Sequence, residues 1–497
     1  MKNRTLALAG AALLPALSCN STPAGCNQSG EKRPNVVMFL IDDLGWTDFA
    51  CYGSLFYQTP AIDSLARAGV RFTDAYAACT VSSPTRAALM SGKYPARLHL
   101  TDWIAGQNFA WAKLRVPEWT KYLPLEEKTI AEYLRDEGYQ TWHVGKWHLG
   151  DDEIYWPENQ GYDVNIGGNF KGAPIRNGIY GGYFAPYGLK RLEEGRDGEY
   201  LTDRLTDEAV RLIENRRDDK PFYLNMAHYA VHTPLGAKPE LEKKYEALAD
   251  SSYFQNNATY AAMIESVDQS LAAIMRALDR NGLMDNTLIV LTTDNGSVHN
   301  ISRNYPLRRG KGSEYEGGVR VPMIMYWKGH TFTGATEQTP VITMDIFSTI
   351  LDAAGVKVRD REVDGKSLCR LAFPRGASEA SSKAIRARDK AAAKLADRPL
   401  FWHYPHYHNG GARPYSSVRQ GEWKLIHQYE TDTWELYNLR EDIGETKNLV
   451  GENGLKFREL ADLLENWLDS VDAQYAAPNP DYDPARERKK GAYKGLE

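Results

Sequence analysis

Residues 36–45 read VVMFLIDDLG, an unbroken apolar run that ends in the acidic pair Asp42 and Asp43. The length and continuous hydrophobicity of the run are typical of a strand buried on both faces of an α/β sheet. In open α/β sheets, ligands bind beyond the carboxyl ends of the strands. Two adjacent carboxylates in such a place are costly unless a positive charge neutralises them, and a hard divalent cation is their natural partner. A helix N-cap followed by a surface acid is the alternative.

Three later apolar runs also have polar side chains directly after them. They are residues 141–144, followed by Lys146 and His148, residues 221–226, followed by His228 and His232, and residues 288–293, followed by Asp294 and Asn295. Lys146 and His148 are two apart, so they would point the same way in an extended segment. Asp42, Asp43, Asp294 and Asn295 would form an all-oxygen set of metal ligands. Such a set favours Ca²⁺, with Mg²⁺ second, over zinc.

Residues 82–95 read SSPTRAALMSGKYP. Alone, a loop of the form S-x-P-x-R is common by chance, and its plain interpretation is a turn that caps the helix beginning near Thr85. Beside the polar strand ends, the stretch resembles the signature of the type I sulfatases, which is C-or-S-x-P-x-R followed by a helix that ends T-G-K/R-Y-P. The resemblance implies that Ser82 becomes formylglycine (3-oxoalanine) and that Arg86 belongs to the site.

Further motifs resemble those of the same family, in the family's order, across residues 34–470. They are the K-x-H of residues 146–148, the T-D-N-G of residues 293–296, the G-K-x-x-x-x-E-G-G-x-R-V-P of residues 310–322 and the L-Y-N-L of residues 436–439. The resemblance implies that Lys311 contacts sulfate and that His232 faces it. Arg320 and Glu316 are expected to form an internal ion pair, and His228 to be structural.

The resemblance also implies a mechanism. Ser82 would be oxidised to an aldehyde and hydrated, and one hydroxyl would attack sulfur while His232 protonates the leaving sugar oxygen. His148 would then take the proton of the second hydroxyl, which expels sulfate. The implied metal ligands are Asp42, Asp43, Ser82, Asp294 and Asn295, with one Ca²⁺, and the implied sulfate-binding cations are Arg86, Lys146 and Lys311.

The sequence departs from the usual sulfatase signature at two positions, and two alternative functions remain open. Serine at position 82 would need the radical maturation enzyme of anaerobic bacteria, and Thr85 replaces the usual serine of the signature. The first alternative is a phosphomonoesterase or phosphodiesterase of the alkaline phosphatase superfamily, with Ser82 unmodified. The second is an inactive glycan-binding lipoprotein.

The substrate is expected to be a sulfated carbohydrate of host or algal origin. The hypothesis is exo-acting hydrolysis of galactose or N-acetylgalactosamine 4- or 6-sulfate. Asp102 and Trp103 are candidate sugar contacts, although a helix cap and a core aromatic would look the same. His406 and His408 lie in a His- and Tyr-rich loop that would reach the mouth of the site, and an exposed aromatic turn is the alternative.

The fold implied is an alkaline-phosphatase-like α/β fold, with a central mixed sheet flanked by helices and a smaller C-terminal α+β subdomain with a short antiparallel sheet. The expected divisions are a signal peptide at 1–18, a tether at 19–33, the catalytic domain at 34–374, a linker or exposed helix at 375–398, the C-terminal subdomain at 399–475 and a tail at 476–497. The tail from Asp481 is expected to be disordered.

Composition limits the class of protein. The chain has 497 residues and a net charge of -5, so no basic field argues for nucleic acid. Residues 1–18 resemble a lipoprotein signal, too short to span a bilayer, with Cys19 as the lipid attachment site and Cys26 as a second candidate. This predicts export to the periplasm or outer membrane of a Gram-negative bacterium. Few other cysteines remain, and one Cys51–Cys79 disulfide is conceivable.

Overall fold

This computed structural model describes residues 32–107, 109–176, 179–180, 182–374 and 381–487. The expected signal peptide with Cys19 and Cys26, nearly all of the tether, residues 375–380 of the linker and the end of the tail lie outside the described residues. Within the described ranges, no helix combines the length and the apolar character needed to cross a membrane.

Short and long strands alternate with helices along the chain. The strands are β1 Asn35–Ile41, β2 Val70–Tyr76, β3 Leu114–Arg115, β4 Gln140–Gly145, β5 Val164–Ile166, β6 Ile175–Arg176, β7 Ile179–Tyr180, β8 Phe222–Ala227, β9 Thr287–Thr293, β10 Arg320–Trp327, β11 Ala335–Glu337, β12 Val341–Ile342, β13 Leu400–Tyr404, β14 Tyr415–Gln420, β15 Trp423–Gln428, β16 Thr433–Asn438 and β17 Ala477–Pro478. The helices are α1 Pro60–Ala68, α2 Ser82–Ser91, α3 Pro95–Leu98, α4 Ile130–Asp136, α5 Leu201–Glu214, α6 Pro239–Leu248, α7 Ala258–Arg280, α8 Glu316–Val319, α9 Met344–Ala353, α10 Cys369–Ala372, α11 Ser382–Ala396, α12 Gly454–Ser470 and α13 Pro484–Glu487.

The central sheet has the strand order β11-β2-β10-β9-β1-β8-β4-β5, with β12 paired to β2. Strand β10 is antiparallel to both of its neighbours, whereas β9, β1, β8 and β4 are parallel to one another. The sheet is therefore mixed, and helices cover both of its faces. This confirms the α/β fold expected from the sequence.

Strand β1 lies in the middle of the sheet and is buried along its whole length. Alternate side chains enter two different cores: Val37 and Phe39 pack in one, and Val36 and Met38 pack in the other. Successive side chains of a strand point to opposite faces, so only a strand covered on both sides needs an uninterrupted apolar run. The apolar run of residues 36–41 is therefore a strand buried on both faces, as expected from the sequence.

Helix boundaries follow the apolar spacing and the caps. Thr129 caps α4 with a capping box, in which its side chain accepts from the N–H of Glu132 and Glu132 accepts in return. Helix α5 spans Leu201–Glu214. It begins with the buried pair Leu201 and Leu205, whose spacing of four places both side chains on one helix face.

The C-terminal part is a four-stranded antiparallel sheet in the order β13-β14-β15-β16, with α12 packed on it. Its aromatic core joins that of the catalytic part: Trp402 packs edge-on against Tyr76 and donates its indole N–H to Ala77 O at 2.8 Å. The segment that leads from β2 to Ser82 therefore rests on the C-terminal sheet.

The start of the tail is ordered, contrary to the disorder expected from Asp481 onward. Strand β17 pairs with β3, the amide of Asn479 donates to Ala112 O at 2.6 Å, and Asp483 N donates to Trp111 O at 3.0 Å. These backbone and side-chain hydrogen bonds tie residues 477–483 to the catalytic part.

The conceivable Cys51–Cys79 disulfide does not form, because both cysteines are free thiols. Cys51 lies in a turn after β1, where its N–H donates to Asp63 at 2.9 Å. Cys79 is buried against the C-terminal sheet, the small packed residue that its position before Ser82 suggests. Burial raises the pKa of the Cys79 thiol to about 12, so it is unreactive at neutral pH.

A buried ion network joins the two parts beneath the site. Lys424 on β15 lies 3.1 Å from Glu316 and 2.8 Å from Glu445, and all three side chains are fully buried. Glu316 also pairs with Arg320 at 3.2 Å, as expected from the sequence.

Replacing Lys424 with methionine is expected to lower the free energy of unfolding by about 3–5 kcal/mol, because two buried carboxylates lose their shared cation. Urea denaturation measures this loss. Arg440→Gln is the matched control, since the Arg440–Glu422 pair is exposed and its loss should cost less than about 1 kcal/mol. Equal losses in the two variants would contradict a structural role for the network.

Candidate active site

Four parallel strands end side by side at one edge of the central sheet. Ile41 of β1 is in register with Thr293 of β9, and Ala227 of β8 is in register with Gly145 of β4. The polar residues that follow these strands therefore meet at one place. Gly145 is required there, since its φ is +104° and a Cβ would lie 1.9 Å from Ala227 O.

The carboxylates at this edge form a compact buried cluster. Asp43 N donates to Asp294 Oδ1 at 3.2 Å, and the amide of Asn295 donates to Asp43 Oδ1 at 2.8 Å. Asp43 has a φ of +59°, an uncommon conformation for a non-glycine residue that turns its side chain back towards its neighbours. Ligand atoms of Asp42, Asp43 and His232 lie within 4.8 Å of one another.

The protonation of the cluster reflects its burial. Burial and the neighbouring Asp294 raise the pKa of Asp42 well above its usual range. Burial also raises the pKa values of Asp43 and Asp294. In both cases a nearby cation outweighs it: Lys311 lowers the pKa of Asp43, and Arg86 lowers that of Asp294. Asp42 thus has a raised pKa although Lys146 and Arg86 both act to lower it.

Ser82 is the first residue of α2, and it points into this cluster. Its Oγ lies 3.3 Å from Asp42 Oδ1 and 3.3 Å from Asn295 Oδ1. Every residue of α2 is buried, so the partial positive charge of the helix N-terminus at Ser82 is poorly screened by water. Thr85, which departs from the signature, donates its hydroxyl to Cys79 O at 3.0 Å and fixes the turn before Ser82.

Two buried cations surround Ser82. Lys146 Nζ donates to Asp42 Oδ2 at 2.7 Å and to Ser82 Oγ at 3.3 Å. Arg86 donates from Nε to Asp294 at 2.9 Å, and from Nη1 to the carbonyl oxygen of Lys146 at 3.1 Å. These contacts fix the cations before any substrate binds.

Lys311 and His232 form a second group on the other side of Asp43. Lys311 Nζ donates to the two carboxylate oxygens of Asp43 at 2.6 and 2.7 Å, and to His232 Nε2 at 3.2 Å. His232 Nδ1 contacts Thr233 O, so Nδ1 carries the hydrogen. Burial lowers the pKa of His232 to about 3, against the opposing effect of Asp43. The imidazole is therefore neutral at neutral pH.

His148 lines the site, but the backbone that carries it is not the extended segment expected from the sequence. Residues 146–148 lie beyond the end of β4, and His148 has a φ of +62°, so the segment is not an extended one in which alternate residues share a face. His148 Nε2 contacts Ile104 O, while Nδ1 is buried and has no hydrogen-bond partner among the described residues. Burial and the nearby Lys146 keep the pKa of His148 well below its usual value.

A cavity of about 650 Å³ opens above Ser82. Its lining includes Ser82, Asp43, His148, His232 and Lys311, together with Trp103, Ile104, Gln107, His408 and Asn409. The sequence reasoning missed Gln107, which lies in an irregular loop without a motif, whereas Asn409 belongs to the His- and Tyr-rich loop expected at the mouth of the site. Asn409 N donates to the side chain of Gln107 at 3.0 Å, so the catalytic and C-terminal parts together form this wall.

Of the four candidate sugar contacts, Trp103 and His408 line the cavity, whereas Asp102 and His406 do not. Asp102 is buried and accepts hydrogen bonds from Tyr404 at 2.7 Å and from Trp103 N at 2.9 Å. His406 is buried, and its Nε2 lies 2.7 Å from the hydroxyl of Thr101. Their polar atoms are used to join the catalytic and C-terminal parts. His228 is structural, as expected, and bonds Ser270 at 3.0 Å.

Asp102 is expected to make stability depend on pH. Burial raises its pKa from the ordinary 3.8 to about 7, so the folded state binds a proton more tightly than the unfolded state. The contribution of Asp102 to stability is therefore greatest below pH 4 and falls as pH rises to 7, by up to about 1.4 kcal/mol per pH unit for one proton. Asp102→Asn should remove this fall, measured by urea denaturation across the range. The exposed control Asp151→Asn should retain it, and identical profiles for wild type and Asp102→Asn would contradict the assignment.

The chain is similar to known sulfatases over most of its length. The sulfatase family model matches residues 34–356, and a model of the C-terminal region of N-sulphoglucosamine sulphohydrolase matches residues 310–474. A sulfatase of Formosa agariphila is 30% identical, with 90% of this chain and 89% of that protein aligned. Human N-acetylgalactosamine-6-sulfatase is 28% identical, with 86% of this chain and 78% of that protein aligned.

A solved structure has the same fold. The crystal structure of Ps i-CgsB in complex with k-i-k-neocarrahexaose superposes with a TM-score of 0.71 at 28% identity, covering 92% of this chain and 96% of that one. The family match covers the strand ends, Ser82 and the cations around it. The chain belongs to the sulfatase family and is a sulfuric ester hydrolase.

Proposed function

We propose that the protein hydrolyses sulfate monoesters of carbohydrates, through a formylglycine made from Ser82 and a bound calcium ion. The observation that carries the proposal is the position of Ser82 Oγ. It lies at a buried helix N-terminus, 3.3 Å from Asp42, from Asn295 and from the ammonium of Lys146. A nucleophile held between oxygen ligands and a cation suits attack on an anionic ester.

The residues present fit a calcium ion. Asp42, Asp43, Asp294 and Asn295 supply oxygen atoms, the donors that Ca²⁺ prefers. Burial keeps the pKa of Asp42 raised although Lys146 lies 2.7 Å away, and a bound divalent ion would lower it. Calcium would polarise the sulfate group and favour the ionised form of the nucleophile.

The charges of the site also fit sulfate. The carboxylates of Asp42, Asp43 and Asp294 are balanced by Arg86, Lys146 and Lys311. A divalent cation would therefore leave the site with a net positive charge of two, which matches the charge of the released sulfate dianion. Fixed cations in a buried site stabilise such charge without reorganisation.

The two histidines are proposed to move protons. The hydrate of the aldehyde would supply one hydroxyl for attack and a second for release of sulfate. His148 offers a buried Nδ1 that lacks a partner in the described part of the chain, which suits the base that takes the second hydroxyl's proton. His232 is proposed as the acid that protonates the leaving oxygen, with the Lys311 ammonium held 3.2 Å from its Nε2.

The substrate is proposed to be a galactose or N-acetylgalactosamine 4- or 6-sulfate at a chain end. The name of the human N-acetylgalactosamine-6-sulfatase supports an N-acetylgalactosamine sulfate, and the neocarrahexaose bound in the solved structure supports an oligosaccharide substrate. Trp103 can stack on the sugar, and His408 lies at the cavity mouth. A panel of monosulfated sugars in which only glucosamine or uronate esters were cleaved would contradict this choice.

The cellular setting is proposed from the sequence. Residues 1–18 would direct export, Cys19 would carry a lipid in the outer membrane or periplasm, and residues 19–33 would form the tether. Residues 34–374 would be the catalytic domain, and a radical maturation enzyme of anaerobic type would oxidise Ser82.

The main alternative is a phosphomonoesterase or phosphodiesterase with unmodified Ser82. A comparison of two small esters, one a sulfate and one a phosphate, distinguishes it from a sulfatase. Enzyme produced with an anaerobic maturation enzyme should hydrolyse 4-nitrophenyl sulfate with a kcat/KM at least about 100-fold above that for 4-nitrophenyl phosphate. Faster hydrolysis of the phosphate ester, or of bis(4-nitrophenyl) phosphate, would overturn the proposal. Glycan binding without turnover of any ester would favour an inactive binding lipoprotein.

A further inference from the structure

A second cavity of about 700 Å³ continues from the mouth of the active-site cavity. The two cavities share Val298, Lys311, His408 and Asn409 in their linings. The second cavity runs along the loop that follows β9 and then along the segment before α8. A ligand that fills the first cavity can therefore extend directly into the second, which is called the basic groove below.

The lining of the basic groove is strongly biased in charge. Its permanently charged side chains are Arg303, Arg308, Arg309 and Lys311, the histidines His299 and His408 also line it, and none of the described lining residues is an Asp or a Glu. This bias stands out because the chain as a whole has a net charge of -5. A surface that only kept the protein soluble would mix charges of both signs. The groove instead presents one sign to its contents, which favours an anionic occupant.

The basic side chains of the groove differ in how they are held. Lys311 is committed to Asp43 in the active site. Arg308 stacks on the ring of Tyr315 at 3.7 Å and donates to Tyr437 at 3.2 Å and to Glu445 O at 3.0 Å. Stacking and backbone contacts hold the guanidinium in place, and Glu435 pairs with it at 3.8 Å.

Arg303 is the exception in the groove. It is exposed, and it makes no hydrogen bond or ion pair with any residue in the described ranges. An arginine offers a planar fork of donors that matches the paired oxygens of a sulfate or a carboxylate. Its charge is thus available to a ligand in the groove, next to the fixed charge of Arg308.

We propose that the basic groove is a subsite for a second anionic group on the same glycan, carried by the sugar unit next to the one whose sulfate is removed. The inference rests on the proposed function, since it takes the first cavity to hold the target sulfate. The second group is a sulfate ester or a uronate carboxylate. The preferred substrate is accordingly an oligosaccharide charged on successive units and not an isolated monosulfated sugar.

The test compares Arg303→Gln with wild type on substrates that differ only in the second charge. The probes are 4-nitrophenyl sulfate, a monosulfated galactan disaccharide, its disulfated counterpart and a monosulfated disaccharide with a uronate neighbour. Arg303→Gln should lower kcat/KM at least about tenfold on a doubly charged probe. Turnover of 4-nitrophenyl sulfate, which cannot reach Arg303, should stay within about twofold.

Arg359→Gln is the matched control, because it removes the same charge from an exposed position that lines neither cavity. It should leave all probes unaffected. Loss on the disulfated probe alone identifies a sulfate subsite, and loss on the uronate probe alone identifies a carboxylate subsite. An equal loss on every probe, or no loss on either doubly charged one, overturns the proposal.

A binding experiment separates failure of the subsite from failure of the proposed function. If the wild type hydrolyses no probe, calorimetry with the Ser82→Ala variant still measures binding of the disulfated and uronate disaccharides. Weaker binding of both in Ser82→Ala/Arg303→Gln than in Ser82→Ala would retain the subsite without sulfatase turnover. Equal binding would reject the subsite whatever the catalytic result.

Discussion

Ser82→Ala is expected to lower kcat/KM for 4-nitrophenyl sulfate by about 10⁴-fold or more, because the change removes the nucleophile itself. The surrounding charges should survive the change. Asp42 keeps Lys146 at 2.7 Å, and Asp294 keeps Arg86 at 2.8 Å, so the cavity should still bind a sulfate ester. The loss should therefore lie in kcat, with an unchanged dissociation constant for substrate.

The control for this variant lies at the other end of the same helix. Ser91 is also buried in α2, but its hydroxyl donates to Ala87 O at 2.8 Å and lies outside the cavity. Ser91→Ala should retain nearly full activity. If Ser82→Ala kept even a tenth of the wild-type rate, the nucleophile would have to be sought elsewhere.

Removal of calcium is expected to have the second largest effect. Dialysis against EGTA should abolish turnover, and added Ca²⁺ should restore it, because the ion that polarises the sulfate group and favours the ionised nucleophile is then lost. Added Ca²⁺ should also raise the melting temperature of the dialysed protein, since a ligand that binds only the folded state stabilises it. Mg²⁺ should restore less activity because it demands a tighter octahedral shell.

Asp43→Asn links this effect to the cluster. The variant should lose both the calcium-dependent rise in melting temperature and the restoration of activity, since a ligand carboxylate is replaced by an amide. Asp48→Asn is a demanding control, because Asp48 is buried nearby but bonds Ser302 at 2.7 Å and Tyr260 at 2.7 Å instead of facing the cavity. An Asp43→Asn protein that still responded to Ca²⁺ would contradict the ligand assignment.

The sequence predicted the sheet and its functional edge because both depend on local patterns. Doubly buried strands such as Val36–Ile41 require continuous apolar runs, and parallel neighbours bring the residues after each run together. Asp42, Asp294 and Lys146 therefore meet as expected, and Lys311, whose place in the site was implied by the family resemblance, joins them from the segment before α8. Their roles as ligands and sulfate contacts stay predictions until an ion or a substrate is bound.

Other features depend on contacts between distant parts of the chain, which local patterns do not encode. Asp102 and His406 carry side chains suited to sugar recognition, but packing between the catalytic and C-terminal parts buries them against Tyr404 and Thr101. His148 enters the site through a positive φ, which periodicity cannot predict. The basic groove likewise arises from residues 298–311 and the loop at His408, which meet only in the folded chain.

The most direct test of the central claim is the mass of the tryptic peptide 72–86, which contains Ser82, from protein made in an anaerobic bacterium and shown to hydrolyse sulfate esters. The account predicts a loss of two hydrogen atoms from the serine, about 2 Da, or the hydrate of that aldehyde. An unmodified Ser82 in this active protein would contradict formylglycine catalysis and would leave the serine hydroxyl itself as the nucleophile.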